Sequence, residues 1–228
     1  MHATLRWQTQ TGSITADNRD AFAYIERDHA SLYLIADGSS RRPGSGELAR
    51  ALLARLAFDF GRLPVDELGT EQLADSLLQT IASCHETLRD AHPKAACSYL
   101  ALCLLPGAAF SIHEGDCCLG LVDQSDTIRW LSNVHCVANW QGHLTHADIA
   151  QQPARHRLTR CFSARRPSSP EVNHWPFTPG QRWLLASDGF WAGLDPQEQQ
   201  TFLRDGQLPT PSTNDDISCL SIATSANP

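Results

Sequence analysis

Two apolar runs of strand length stand close together near the start of the chain, AFAYIE at 21–26 and LYLIA at 32–36, with the polar RDHAS between them. Alternating or continuous apolar residues at that length predict a β-hairpin. Helical spacing follows in GELARALLARLAFDF (46–60) and EQLADSLLQTIASCHETLRDA (71–91), and GRLPVDELGT between them carries the Gly and Pro of a loop. CSYLALCLL (97–105) and AAFSIHEGD (108–116) flank Pro106-Gly107 and predict a second hairpin; CCLGLV (117–122) and IRWLS (128–132) predict a third. Residues 133–181 are weakly periodic and rich in His, Pro, Arg and Ser, and SARRPSSPEV (163–172) within them predicts a loop. RWLLAS (182–187) and DISCLSIAT (216–224) predict strands, and DPQEQQTFLRDG (195–206) predicts a helix capped by Asp195 and stopped by Gly206.

Hairpins and helices thus come in separate runs, which is the α+β pattern, with mainly antiparallel sheets and helices outside a β core. A chain of 228 residues suits a single domain spanning 1–228. Its 42% hydrophobic and 19% charged residues mark a globular protein, not a disordered one. The net charge of -7 argues against nucleic acid as a partner, which would demand a basic face. No apolar run reaches membrane-spanning length, and MHATLRWQTQTG lacks a signal core, so a cytoplasmic location is expected. In that compartment the eight cysteines are expected reduced, with Cys97, Cys103, Cys118 and Cys219 serving as small hydrophobes in strands. No C-x-x-C is present to support a zinc knuckle.

Acids collect where strands end. Asp37, Asp116 and Asp188 each close an apolar run, Asp20 precedes the first strand and Asp215 the last. A symmetric first hairpin sets Glu26 opposite Ser31 and Asp20 opposite Asp37, with β-carbons about 5 Å apart. Antiparallel pairing of the strand before Asp188 with the strand after Asp215 brings those two to one sheet end. Several carboxylates at one place make an all-oxygen site, suited to Mg2+ or Mn2+. Asp-Gly is equally a common turn dipeptide, so this pattern leaves the turn and the metal ligand both open.

Eight stretches in order, NRDAF, LYLIADG, GELA, ACSYLALCLL, FSIHEGDCCLGLV, RHRLTRCF, RWLLASDGFW and DDISCLSI, resemble the metal-dependent protein phosphatases of type 2C in their compact bacterial form. The resemblance runs from about residue 20 to 224. It implies a β-sandwich of two antiparallel sheets flanked by helices, and hydrolysis of phosphoserine and phosphothreonine in a phosphorylated protein, the target of a cognate Ser/Thr kinase. It implies two Mn2+ or Mg2+ ions per chain and a weaker third. Asp20 stands at one metal ligand of the family, Asp37 at the acid bridging two metals, Gly38 at the glycine offering its carbonyl, Asp116 at the third-metal acid, and Asp188 and Asp215 at the second-metal acids. Residues 133–181 fall where the family carries a flap.

The departures are specific. Thr15 stands where the family's phosphate-gripping Arg is expected, Arg19 where a metal-site Glu is, Ala192 where an Asp is, and Asp216 where an Asn is. Because a bidentate Arg is poorly replaced by other residues, Arg19, Arg41 and Arg42 are the candidates for the phosphate grip. The chemistry implied is metal-assisted hydrolysis, the cations making a water nucleophilic near neutral pH.

Other chemistries fit less well. HCVANWQG begins like a cysteine-phosphatase loop but has Gly142 where the Arg belongs. No Gly-x-Ser-x-Gly elbow is present. His135, His143 and His146 have no helical ligand spacing for zinc. The alternative of another class is a catalytically weak phosphatase-like module that binds a phosphoprotein or a kinase, favoured by Thr15, Arg19 and Ala192.

Overall fold

The computed structural model describes residues 3–210 and 213–225. From the N-terminus come β1 (Ala3–Gln10), β2 (Asp20–Glu26), β3 (Ser31–Gly38), α1 (Ser45–Arg62) and α2 (Thr70–Leu88). Next are β4 (Ala96–Leu105), β5 (Ala108–Glu114), β6 (Cys118–Val122), β7 (Ile128–Trp130) and α3 (His146–Ala150). The chain closes with β8 (Phe162–Ser163), β9 (Glu171–Pro176), β10 (Arg182–Ala186), α4 (Asp188–Trp191), α5 (Pro196–Asp205) and β11 (Ile217–Thr224).

Two antiparallel sheets form, one ordered β1-β11-β10-β6-β7 and the other β2-β3-β4-β5-β9, with β8 paired to the end of β4. They pack face to face, and helices cover both outer faces. This layering explains the unbroken apolar runs. In β3, Leu32, Leu34 and Ala36 face the helices while Tyr33 and Ile35 face the second sheet. In β10, Trp183 and Leu185 point inward and Leu184 and Ala186 point outward. A strand covered on both faces has no polar side to show.

α1 buries Leu48, Leu52, Leu56 and Phe60 at helical spacing, and α2 buries Leu73, Leu77 and Ile81. Both lie against the β2-β3-β4-β5-β9 sheet, α1 on β2, β3 and β4 and α2 on β5. Each fully buried Leu of this kind stabilises by about 1.5–3 kcal/mol. On the other outer face α5 starts where expected. Asp195 Oδ1 accepts from the Gln197 and Glu198 N–H groups at 2.8 Å, and Gly206 ends the helix at φ 79°.

Five strands and α-helices lie outside the sequence expectations: the short α3 and β8, and, more instructively, β1, β9 and α4. β1 pairs with β11 along its whole length. Its alternation is masked because the residues it turns outward, toward α5, are polar and bind the end of that helix, Arg6 donating to the Leu203 and Arg204 carbonyls and Gln8 to that of Phe202. β9, which begins at the end of the loop expected at 163–172 and lies within the weakly periodic stretch 133–181, adds an edge strand to β5, with Phe110 opposite His174. α4 is a single turn that begins on Asp188 itself. Among the described residues, no helix is long and apolar enough to cross a membrane.

Candidate metal centre

Strand register assembles the site. In the β2–β3 hairpin Asp20 lies opposite Asp37, and Glu26 opposite Ser31. β10 pairs with β11, Ala186 opposite Cys219, so Asp188 and Asp215 flank one end of that sheet. β10 also pairs with β6, Ala186 opposite Cys118, and this brings Asp116 alongside.

The five acids converge. Burial raises the Asp37 carboxyl well above the usual range, and Asp20, Asp188, Asp116 and Asp215 each push it further. Asp37 and Asp188 act directly on each other's charge. Asp116 is 8% exposed and is pushed up to about 7, by burial first and then by Asp188, with Ser98 and Arg155 opposing. Asp188, 5% exposed, is raised by burial and then by Asp215. Burial likewise raises Asp20 well above its usual value, with Asp216 and Asp188 adding to it. Both Asp20 oxygens are shielded from solvent and have no hydrogen-bond partner. The hydroxyls of Ser187 and Ser218 ease its charge without closing a bond at standard geometry.

Small contacts aim the remaining oxygens. Ser98 Oγ donates to Asp116 Oδ1 at 2.5 Å, and Trp191 Nε1 donates to the Asp116 carbonyl at 2.7 Å. Ser40 Oγ donates to Asp215 Oδ1 at 2.9 Å. Asp216 plays a different part. Its Oδ1 accepts from the Gly12 N–H and its Oδ2 from the Arg19 N–H, both at 2.8 Å, which staples the loop before β2 to β11.

Packing explains why glycine follows Asp37 and Asp188. Neither Gly38 nor Gly189 has a positive φ, so turn conformation is not the reason. A Cβ on Gly38 would sit 2.7 Å from the Ser45 carbonyl, where β3 meets the start of α1. A Cβ on Gly189 would collide with the Asp216 carbonyl oxygen. The glycines let backbones close in so that the acids meet.

The donor set is all oxygen, crowded, partly desolvated and short of positive charge, with both Asp20 oxygens unpaired. That composition fits hard divalent cations.

The arginine candidates differ in what they have left to offer. Arg19 Nη1 donates to the carbonyls of Ser39 (3.0 Å), Ser40 (3.3 Å) and Arg42 (3.0 Å), and Nε lies 3.4 Å from Asp17 Oδ1. It braces the loop after β3. Arg41 is exposed and Arg42 half-buried on that loop. Sequence reasoning did not single out Arg155, whose Nη1 lies 2.8 Å from Asp188 Oδ2. It comes from a 3-10 turn, Pro153–His156, and no spacing signal links it to Asp188.

The histidines considered for zinc do not assemble. His143 is exposed, and His146 stacks on Trp130 with ring centroids 5.3 Å apart. His135 instead joins His113 and Glu171, with potential ligand atoms within 4.8 Å of one another. His135 Nδ1 accepts from the Gly115 N–H at 3.2 Å and Nε2 donates to Glu171 Oε2 at 3.1 Å, so the ring is a neutral strut.

The sequence model of the family described as Protein phosphatase 2C matches residues 13–215. A protein of Streptococcus pyogenes serotype M6, named provisionally as protein phosphatase 2C-type, is 23% identical over 205 residues, covering 86% of this chain and 82% of its own length. Among solved structures, the serine/threonine phosphatase Stp1 from Staphylococcus aureus superposes with a TM-score of 0.82 at 15% identity, over 99% of this chain and 96% of that one. The Ser-Thr phosphatase MsPP from Mycobacterium smegmatis, solved in complex with cacodylate, gives a TM-score of 0.75 at 22% identity, over 97% of this chain and 98% of that one. With the profile spanning most of its length and the fold matched from end to end, the chain belongs to the protein phosphatase 2C family of metal-dependent serine/threonine phosphatases.

Proposed function

We propose that this phosphatase works through two Mn2+ or Mg2+ ions held by Asp20, Asp37, Asp188, Asp215 and the Gly38 carbonyl, with a weaker third ion at Asp116. The observation that carries the reading is the meeting of Asp20, Asp37, Asp116 and Asp188 at one sandwich end, where Asp37 is pressed by every other acid. When bound, such cations supply an activated water and offset the charge on the phosphoryl oxygens.

The chain's own residues set the stage. Asp37 reaches both the Asp20 side and the Asp188 side, which suits a bridging role. Ser40 orients Asp215, and Ser98 with Trp191 orients Asp116. Thr15 is turned back on its own loop, its hydroxyl donating to the Asp17 carbonyl at 2.7 Å, so position 15 holds no phosphate-gripping guanidinium. The substrate is a phosphoserine- or phosphothreonine-bearing protein, the product of a cognate kinase, in the cytoplasm.

The test is hydrolysis of p-nitrophenyl phosphate and a phosphothreonine peptide with Mn2+, with and without EDTA, beside calorimetric Mn2+ titration. Mn2+-dependent, EDTA-sensitive turnover is expected. No turnover in millimolar Mn2+ together with no Mn2+ binding sinks the reading, and the phosphoprotein- or kinase-binding module takes its place.

A further inference from the structure

We propose that Arg155 is the phosphate-binding guanidinium of this active site, reaching the metal acids from the segment 133–181 and standing in for the arginine missing at position 15. The inference rests on the phosphatase reading above and names the group that grips its tetrahedral phosphate dianion.

Position carries the argument first. Arg155 is largely buried, its side chain 15% exposed against 7% for Asp188, and Nη1 lies 2.8 Å from Asp188 Oδ2. Its charge also acts on Asp116, so it lies near a second of the converging acids. A group bound at these acids lies beside that guanidinium.

Donor capacity comes second. A guanidinium has five N–H donors in a rigid fork. For Arg155 the bond to Asp188 is the single side-chain hydrogen bond among the described residues, so the rest of the fork is open. Arg19 is the contrast, with Nη1 shared among three carbonyls and Nε turned to Asp17. An open fork held by one anchor suits bidentate capture of a phosphate. Asp188 has a second oxygen, so it can face a cation while Oδ2 keeps the arginine in place.

Anchoring comes third. The turn is closed by Arg155 N–H to the Gln152 carbonyl and Arg157 N–H to that of Ala154. It is clamped by Val137 N–H to the Arg157 carbonyl at 2.8 Å and by the bridge from Cys136 to Leu158. His135 N–H in turn donates to the Gly115 carbonyl, one residue before Asp116. The arginine and the acid therefore hang from one hydrogen-bonded frame. His156 beside it feels Arg155, Asp188, Arg41 and Asp215 together.

The experiment compares wild type, Arg155→Ala, Arg155→Lys and the exposed control Arg165→Ala. It measures Mn2+ affinity by calorimetry, inhibition by inorganic phosphate, and KM and kcat on p-nitrophenyl phosphate. Arg155→Ala is expected to weaken phosphate inhibition by about ten- to a hundredfold, the loss of one charge-assisted contact. Mn2+ affinity is expected to hold or rise, because Asp188 loses a competing cation. Arg155→Lys should recover only part of the phosphate affinity, since a point charge replaces a fork, and Arg165→Ala should match wild type. Unchanged phosphate inhibition in Arg155→Ala overturns the proposal. So does a loss that runs parallel with lost Mn2+ binding, which would make Arg155 a brace for the acids. If Arg155→Ala does not fold, Arg155→Lys decides, and phosphate affinity equal to wild type overturns the proposal. Wild type that neither binds Mn2+ nor hydrolyses phosphate monoesters removes the phosphatase reading itself, a result visible before any variant is made.

Discussion

Two clusters of titratable side chains meet near Gly115-Asp116, and they are built on opposite principles. On one side Asp20, Asp37, Asp116, Asp188 and Asp215 crowd together; burial and mutual repulsion raise the first four, and both oxygens of Asp20 are unpaired. On the other side Glu171 is fully partnered: Oε2 accepts from His135, and Oε1 accepts from Asn133 and Asn173 Nδ2, each at 2.9 Å. These bonds, the one from His135 foremost, pull its carboxyl down to about 2. By residue type alone the second cluster, with two histidines and a carboxylate, is the more conventional metal site. Hydrogen bonding reverses that choice. His113 and His135 stack with planes 7° apart and centroids 4.5 Å apart, so their in-plane lone pairs run side by side and do not converge on one ion. His135 has already spent Nδ1 on Gly115 and Nε2 on Glu171. Within that cluster His113 Nδ1 alone is buried without a partner, while every ligating atom of His135 and Glu171 is already bonded, so the cluster is mainly a strut; the acid cluster, short of partners and of positive charge, asks for a ligand.

The sharpest way to break this contrast is to remove one charge from each cluster. Asp37→Asn should abolish Mn2+-dependent hydrolysis and weaken Mn2+ binding by more than the roughly ten- to hundredfold that outer-shell changes cost. The metal-free variant should at the same time be more stable, because one of several mutually repelling acids is gone. A gain of about 1 kcal/mol would raise the melting temperature by about 2–4 °C. Asp188→Asn should abolish activity as well without that gain, since it also breaks the buried pair with Arg155. A metal-free Asp37→Asn protein less stable than wild type would mean that the acid cluster carries no strain.

Glu171→Gln is the mirror experiment. It removes a carboxylate that holds His135, Asn133 and Asn173, so stability should fall by about 1.5–3 kcal/mol, the worth of a hydrogen bond to a charged group. Denaturant titration reads that loss. Mn2+ affinity should stay close to wild type. If Glu171→Gln instead abolishes binding of Mn2+ or Zn2+, the histidine cluster is a metal site and the comparison fails.

How legible this was in the sequence follows from which interactions are local. The hairpin around RDHAS carries its own register, so Asp20 opposite Asp37 could be read from chain symmetry. The apolar runs before Asp188 and after Asp215 likewise implied the β10–β11 pairing. β1 was hidden because Arg6 and Gln8 occupy the face that α5 covers, where the other strands of this sheet are apolar, and the carbonyls that hold them lie almost two hundred residues away. β9 was hidden because an edge strand needs little apolar character; EVNHWP is at most half-buried. Arg155 was missed for a related reason. Arginines near Asp37 in sequence drew attention, while the one that reaches Asp188 is 33 residues from it and arrives through a turn with no periodic signal.

The smallest expected effect is a difference in acid response between the two clusters. Burial, with His135 adding to it, holds His113 down to about 4, against an ordinary value of 6.5, while Asn133 and Glu171 act the other way and Arg160 sides with burial. The unfolded chain therefore takes up a proton in this window that the folded chain refuses. The contribution of His113 is complete above pH 6.5 and is lost as pH falls toward 4, by up to about 1.4 kcal/mol per unit. Asp116 works in the opposite sense. Its folded value is raised to about 7 from 3.8, so the folded state binds the extra proton, and stability is lost as pH rises through 7. In metal-free wild type the two slopes oppose each other between pH 4 and 6.5, which predicts a shallow profile there. His113→Asn should unmask the acids, so that metal-free protein gains stability on going from pH 6.5 to 5 relative to wild type, by about 1 kcal/mol. Saturating Mn2+ should suppress the acid slope in both proteins, because a bound cation keeps the acids ionised, and leave the difference between them, which belongs to His113. Urea denaturation of both proteins at the two pH values, with and without Mn2+, measures all of these slopes, and identical profiles for His113→Asn and wild type would show that the histidine cluster does not oppose the acids.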